Sequence, residues 1–222
     1  EFKAYVDARN MELEFPGVRG FGFIERIQRS EVAAFAQRVQ AGRPDSFQVR
    51  TGGEAPDLLV IKDIEPLDAN RPALGFDIGQ ESVRRQAAER AIATGQTALS
   101  GSISLVQDQV KSPGFLLFMP IFKEGAPVPQ PQAAPQGLIG LVYSPIVARE
   151  LLNTTSPTVN ANLTLAVYDG KVDGAGTLVY ADEGFDGRTE GAAGNVQSLS
   201  SRSSIHVAGR EFTVWVRASP SY

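Results

Sequence analysis

The sequence predicts a mixed α/β (α+β) fold built as two units, and three observations predict it. Most apolar segments are short and alternate with period two, as half-buried strands do. Only one long stretch, Glu81–Thr94, has strong helical spacing between clear start and stop signals. After about residue 153 the character shifts to small strands separated by Gly-rich turns. At 222 residues the chain can form one large or two small domains, with real cores and no need of disulfide or metal staples.

Glu1–Glu14 places Phe2, Tyr5, Val6 and Leu13 near helical spacing, and Phe15-Pro16-Gly17 ends that pattern. Gly20–Ile27 alternates as a strand. Ser30 is placed to cap a helix through Val39, with Val32, Phe35, Ala36 and Val39 as its apolar stripe. Phe47–Thr51 and Leu58–Ile64 read as strands, the second apolar on both faces as a central strand is. In Glu81–Thr94, Val83, Ala87, Ala88 and Ala91 line one face and Arg84, Arg85 and Arg90 another, with Gly95 as the stop.

Ala98–Val106, Phe115–Lys123 and Leu138–Tyr143 follow as strands. Gly125–Gln136, with prolines at 127, 129, 131 and 135, reads as an exposed insertion in a hairpin. Ser144-Pro145 has the pattern of an N-cap and first helical residue, opening a helix to Asn153. This gives a division into residues 1–153 and 154–222. In the second part Leu163–Tyr168, Thr177–Ala181, Ser203–Val207 and Glu211–Ala218 are strands, and Gly184–Gly194 is a loop.

Composition excludes much chemistry. With no Cys and one His, there are no thiol nucleophiles, disulfides, Cys-ligated metals or two-histidine sites. The net charge of −4 argues against nucleic acid. No cofactor, metal or catalytic set is expected. The longest nearly unbroken apolar run, Phe115–Phe122, is far short of the roughly 20 residues a membrane helix needs. The chain starts inside a helical pattern without an initiator Met and reads as a segment of a longer protein.

Gly17–Gly22 is glycine-rich but leads into a strand, whereas a phosphate cradle opens a helix. Gly174-Ala175-Gly176 reads as a turn between strands. His206 sits on a strand opposite in phase to Ile205 and Val207, as a solvent-facing residue, and Trp215 reads as packing. Asp57, Asp63, Asp182 and Asp186 read as solvated strand ends and turns. Asp77, between Leu74-Gly75-Phe76 and the best helix, has two readings: a carboxylate anchor for the N–H groups of a bound ring, or a plain cap with Gln80.

The run Phe15–Ile27, Ala73–Gly79, Thr94–Gly101, Gly114–Phe122 and Gly137–Tyr143, taken in order over about Phe2–Leu152, resembles the CHASE family. These are extracytoplasmic sensing domains of histidine kinases and of nucleotide and diguanylate cyclases. The resemblance implies the end of a dimerising stalk helix, then a membrane-distal and a membrane-proximal PAS-like unit. It also implies a periplasmic location, flanking transmembrane helices and a homodimer in the full receptor.

In the plant cytokinin receptors of this family the distal unit binds adenine. By motif Asp77 matches the Asp that takes the ring N–H groups, and Leu99 the Leu whose backbone completes the bonding. Phe76, Met119 and Leu141 are the accompanying lining. Leu141 stands where those receptors keep a glycine, so an inward side chain there shrinks an adenine pocket. The expected function is a sensor for a small, adenine-like molecule in the distal unit. The alternative is a ligand-free dimerisation or protein-interaction spacer.

Overall fold

The computed structural model describes residues 2–43, 45–106, 113–127, 129, 136–153, 162–171, 176–185 and 200–218. Two antiparallel sheets organise them. The first contains β1 (Phe21–Gln28), β2 (Asp57–Glu65), β3 (Ala98–Leu99), β4 (Ile103–Ser104), β5 (Pro113–Phe122) and β6 (Leu138–Val147), in the order β2-β1-β6-β5-β3, with β4 also on β5. The second contains β7 (Leu163–Asp169), β8 (Thr177–Ala181), β9 (Ser200–Val207) and β10 (Arg210–Ala218), in the order β8-β7-β10-β9. The fold is therefore α+β, with two antiparallel sheets and few helices.

The helix at Ser82–Thr94 lies across one face of the first sheet, over Ile24, Ile61, Leu116, Phe118 and Leu141. Its start is capped by Glu81, whose carboxylate accepts from Val83 N and Arg84 N, and its end by Gly95 at φ 66°. The other face of the sheet is covered at β1 and β2 by the helix Val32–Ala41, through Phe35, Val39 and Phe47. At β5 and β6 that same face meets the second sheet, where Leu99 and Phe115 pack with Val167, Val179, Tyr180 and Phe212. β2 is buried on both faces, Leu59 and Ile61 in one core and Leu58 and Val60 in the other. That is the sandwiched position its continuous apolar run requires.

Several expectations are corrected. The N-terminal pattern breaks into two helices, Phe2–Asp7 and Met11–Glu14, because Asn10 caps the second by accepting from Leu13 N. Ser30 does not cap the next helix; Gln28 and Glu31 form a capping box around a short turn instead. Phe47–Thr51 is extended but makes only one bridge, Arg50 to Phe76. Ala98–Val106 splits into the two short strands β3 and β4.

Ser144-Pro145 stays in β6, and the helix begins only at Ala148. The proline is tolerated there because β1 proper has ended: Arg19 N donates to Pro145 O at 2.8 Å and requires no N–H in return. Ser144 donates its hydroxyl to Gly20 O. Most of the Pro-rich insertion at 130–135, residues 154–161, the Gly174-Ala175 turn and 186–199, with Asp186, lie outside the described residues.

Candidate ligand-binding site

The segment Leu74–Asp77 runs along the edge of β2. Gly75 N donates to Ile61 O, Ile61 N to Phe76 O, and Arg50 N to Gly75 O, all at 2.8–3.0 Å. Gly75 is at φ 76°, and a Cβ there would lie 2.0 Å from Gln48 O, so the close approach demands glycine.

This arrangement sends the Asp77 side chain inward, 1% exposed. Its Oδ1 accepts from Leu59 N at 3.0 Å and Gly79 N at 2.9 Å, and its Oδ2 from the Thr51 hydroxyl at 2.7 Å. It caps the short turn Ile78–Gln80, while Glu81 caps the long helix. The donors of this carboxylate all come from its own chain.

Leu99 is similarly engaged. Its N–H donates to Ala208 O of the second sheet, and its carbonyl accepts from Arg90 at 2.7 Å. Its side chain packs between the sheets. Met119 is 46% exposed, and β5 turns its neighbours Phe118 and Pro120 inward and Met119 away. Leu141 points inward, in the same core cluster as Tyr143. Phe76 is half-buried, its ring 5.4 Å from the Arg84 guanidinium carbon and 5.9 Å from that of Arg50.

A narrow cavity lies between the long helix and the sheet. Its lining comes from Ile61, Ala73, Ile78, Arg84, Leu105, Val106, Leu116, Tyr143 and Pro145, and its volume open to the centre of a water is about 10 Å³. That is room for about one water molecule. Of the expected ligand residues none lines it, though Phe76 borders Arg84 and Leu141 flanks Tyr143 one strand repeat away.

Two polar side chains face this cavity, and sequence reasoning missed both. Arg84 is 8% exposed, and one terminal nitrogen donates to Ser104 O at 2.7 Å. Its Nε is buried without a hydrogen-bond partner, the Glu81 carboxylate lying 3.5 Å away as an ion pair only. Tyr143 is 2% exposed, and its hydroxyl has no partner either. Burial lowers the pKa of Arg84 and raises that of Tyr143 above the ordinary phenol value, with the nearby Arg84 charge pulling the latter back slightly. The Tyr143 ring lies over Gly22 of β1, where a Cβ would stand 2.2 Å from Cε1. It also stacks with Phe118, centroids 6.5 Å apart.

Leu99–Leu105 connects this cavity to the second sheet. At its far end Ser104 O holds Arg84; at Ser102 the backbone N–H donates to Asp169 Oδ2 at 3.1 Å. Asp169 also accepts two bonds from Arg210 at 2.5 and 2.6 Å. Other expected carboxylates are structural too. Asp57 is buried between Arg26 and Arg85, each at 2.6 Å, rather than solvated, and Asp182 accepts from Leu165 N and the Tyr180 hydroxyl. His206 lies on β9, whose residues are all exposed, and Trp215 is buried beneath Arg202 at 3.9 Å. Among the described residues no group of acidic or histidine side chains forms a metal-binding cluster, and no helix is long and apolar enough to cross a membrane.

The model of the CHASE domain family matches residues 1–180. The chain belongs to the CHASE family. As a CHASE domain it is an extracytoplasmic sensor of a receptor and not a catalytic unit. No curated protein sequence matches it. Among solved structures it is similar to an extracellular ligand binding receptor from Desulfohalobium retbaense DSM5692, with a TM-score of 0.56 at 15% identity, covering 97% of this chain and 32% of that one. It is also similar to the periplasmic sensory domain of the Campylobacter jejuni chemoreceptor Tlp1, with a TM-score of 0.50 at 10% identity, covering 93% of this chain and 73% of that one. The CHASE domain thus spans about a third of the first receptor's length. At these identities the likeness is one of fold.

Proposed function

We propose that this CHASE domain senses a small molecule in the cavity beneath the long helix. It does so as the membrane-distal unit of a receptor of histidine-kinase or diguanylate-cyclase type. The carrying observation is a narrow cavity whose polar lining side chains among the described residues, Arg84 and Tyr143, each carry a buried donor without a hydrogen-bond partner. A fold built only for stability leaves few such groups. The second sheet is the membrane-proximal unit, and the receptor works as a homodimer on the periplasmic side of the inner membrane, between transmembrane helices.

Signal passes along Leu99–Leu105. A ligand on Arg84 Nε bears on the same guanidinium whose terminal nitrogen donates to Ser104 O, and the same short segment is bonded through Ser102 to Asp169 and through Leu99 to Ala208. Only a ligand that favours one arrangement of this segment over the other shifts the receptor's state.

An adenine-type ligand on Asp77 requires the carboxylate to release Leu59 N, Gly79 N and Thr51, and Leu99 to release Ala208 and Arg90. The cavity at Arg84 requires no such exchange, so it is the preferred seat. The spacer reading has one observation in its favour: Leu141 points inward and the cavity is small.

A thermal-shift panel of purines, carboxylates, amines and amides on the 222-residue chain separates the two. A ligand at a hundred times its Kd adds about 2.7 kcal/mol, a rise of roughly 5–11 °C for a chain of this size. A panel flat throughout contradicts the sensor reading and leaves the spacer.

A further inference from the structure

We infer that the Ala208-Gly209 turn and the Asp169–Arg210 ion pair form a releasable latch on the β3–β4 edge of the first sheet, the device by which a movement of Leu99–Leu105 is passed to the second sheet. Its use in signalling rests on the route proposed above. Its existence does not depend on what fills the cavity at Arg84.

The edge is bonded on two sides. Ser100 N donates inward to Leu116 O at 2.9 Å, and the Ser100 hydroxyl accepts from Leu116 N. Leu99 N and Ser102 N turn outward instead, to Ala208 O at 3.0 Å and Asp169 Oδ2 at 3.1 Å. Arg90 of the long helix holds Leu99 O at 2.7 Å. A Cβ at Gly101 would stand 2.8 Å from Val83 Cγ1 and 3.2 Å from the Arg210 guanidinium. The edge therefore closes on the ion pair because residue 101 has no side chain.

Three features suit this contact to release. The Asp169 carboxylate is buried, yet Arg210 of its own sheet binds both of its oxygens, at 2.5 and 2.6 Å. Losing Ser102 N leaves that charge paired, so opening avoids the large cost of stranding a buried ion. Arg90 Nε is buried without a hydrogen-bond partner beside Gly209, where a Cβ would lie 3.5 Å from it. Withdrawing the turn admits water to that donor, so the closed position carries a cost that the open one lacks. Finally, Leu99 and Phe115 meet Val167, Val179 and Phe212 through apolar contacts, which are non-directional. The latch can open while the two sheets stay packed.

The test is residue-resolved amide hydrogen exchange on the 222-residue chain without ligand, as wild type, Gly101→Ala, Asp169→Asn and the double variant. In the wild type the Leu99 and Ser102 amides should be protected, yet exchange faster than the core amides of Ile61 and Gly75, because the latch opens without unfolding. Gly101→Ala keeps every hydrogen-bonding group and wedges the edge off the ion pair. It should speed exchange at Leu99 and Ser102 by roughly tenfold or more. Ile61, Gly75 and, in the second sheet, Asp182, whose amide donates to Leu165 O, should keep their rates. Asp169→Asn should speed Ser102 and also Leu99, whose amide Asp169 does not touch. Two variants that open one latch should not add, so the double variant should match the faster single one. If Gly101→Ala does not fold, Asp169→Asn decides the matter through Leu99.

Unprotected Leu99 and Ser102 amides in the wild type overturn the inference, since the closed position is then unoccupied. Leu99 exchange unchanged in Asp169→Asn, additive effects in the double variant, or an equal rise at Ile61 and Gly75 overturn it too, leaving separate packing defects in place of a latch. The measurement uses no ligand. A flat thermal-shift panel therefore removes the sensor reading and leaves the latch, and unprotected amides remove the latch and leave the sensor reading.

Discussion

Of the buried polar clusters on the first sheet, those at Asp77 and at Arg84 and Tyr143 are opposites. The Asp77 carboxylate has three donors from its own chain, two of them backbone N–H groups. Arg84 and Tyr143 are nearly as buried, yet each retains a donor with no acceptor. Burying a polar group is tolerated when its bonds are made inside and is costly when they are not. The first cluster is thus explained by the fold alone. The second is a cost to the fold, and an incoming acceptor removes it.

The contrast can be broken most forcefully at Asp77. Asp77→Ala strands Leu59 N and Gly79 N inside the protein and should cost about 2–5 kcal/mol in urea unfolding. A loss below 1 kcal/mol means that those N–H groups find other acceptors.

Gly22→Ala comes next. The added methyl meets the Tyr143 ring and Asp63 O, at 2.2 and 2.7 Å before relaxation, and should destabilise by roughly 1–3 kcal/mol while displacing the ring from the cavity. Wild-type stability in that variant means that the ring does not lie where it is described.

A third test sharpens the comparison with another answered carboxylate. Burial raises the pKa of Asp57, but the hydrogen bonds and charges of Arg85 and Arg26 outweigh it and leave a net lowering. The stabilisation is present above the unfolded Asp pKa and is lost as pH falls through the lower folded value. Asp57→Asn should therefore flatten the acid limb of the stability curve below about pH 4; an unchanged limb assigns it to other groups.

The smallest effect is alkaline. Tyr143 has a raised pKa in the fold, from burial opposed weakly by Arg84. Above about pH 10 the unfolded chain sheds this proton and the folded one does not, so stability falls as pH rises. Tyr143→Phe removes that slope, and an identical slope in both proteins refutes the assignment.

Most of the strands and the long helix were legible in sequence because alternation and end signals are local, whereas the order of the strands in their sheets was not. The site was legible only in part. Arg84 shares the buried stripe with Ala87, Ala88 and Ala91 at spacings of three, four and seven, a signal present in the sequence. Its charge nevertheless groups it naturally with Arg85 and Arg90. Tyr143 belongs to an inward row with Leu141 and Pro145, hidden because Ser144-Pro145 mimics a helix start. Asp77 was visible as a cap, but its donor at Leu59 lies eighteen residues back and no local pattern announces it. What escapes sequence reading is which buried groups are left without partners, since that depends on every element packed around them.

The most direct measurement is the urea stability of Tyr143→Phe beside Asp77→Asn, both without ligand. Tyr143→Phe should match or slightly exceed wild type, because it deletes a hydroxyl that has no partner, and Asp77→Asn should lose at least 1 kcal/mol. A loss in Tyr143→Phe as large as that in Asp77→Asn would contradict the account, since it means that the hydroxyl is already answered within the protein.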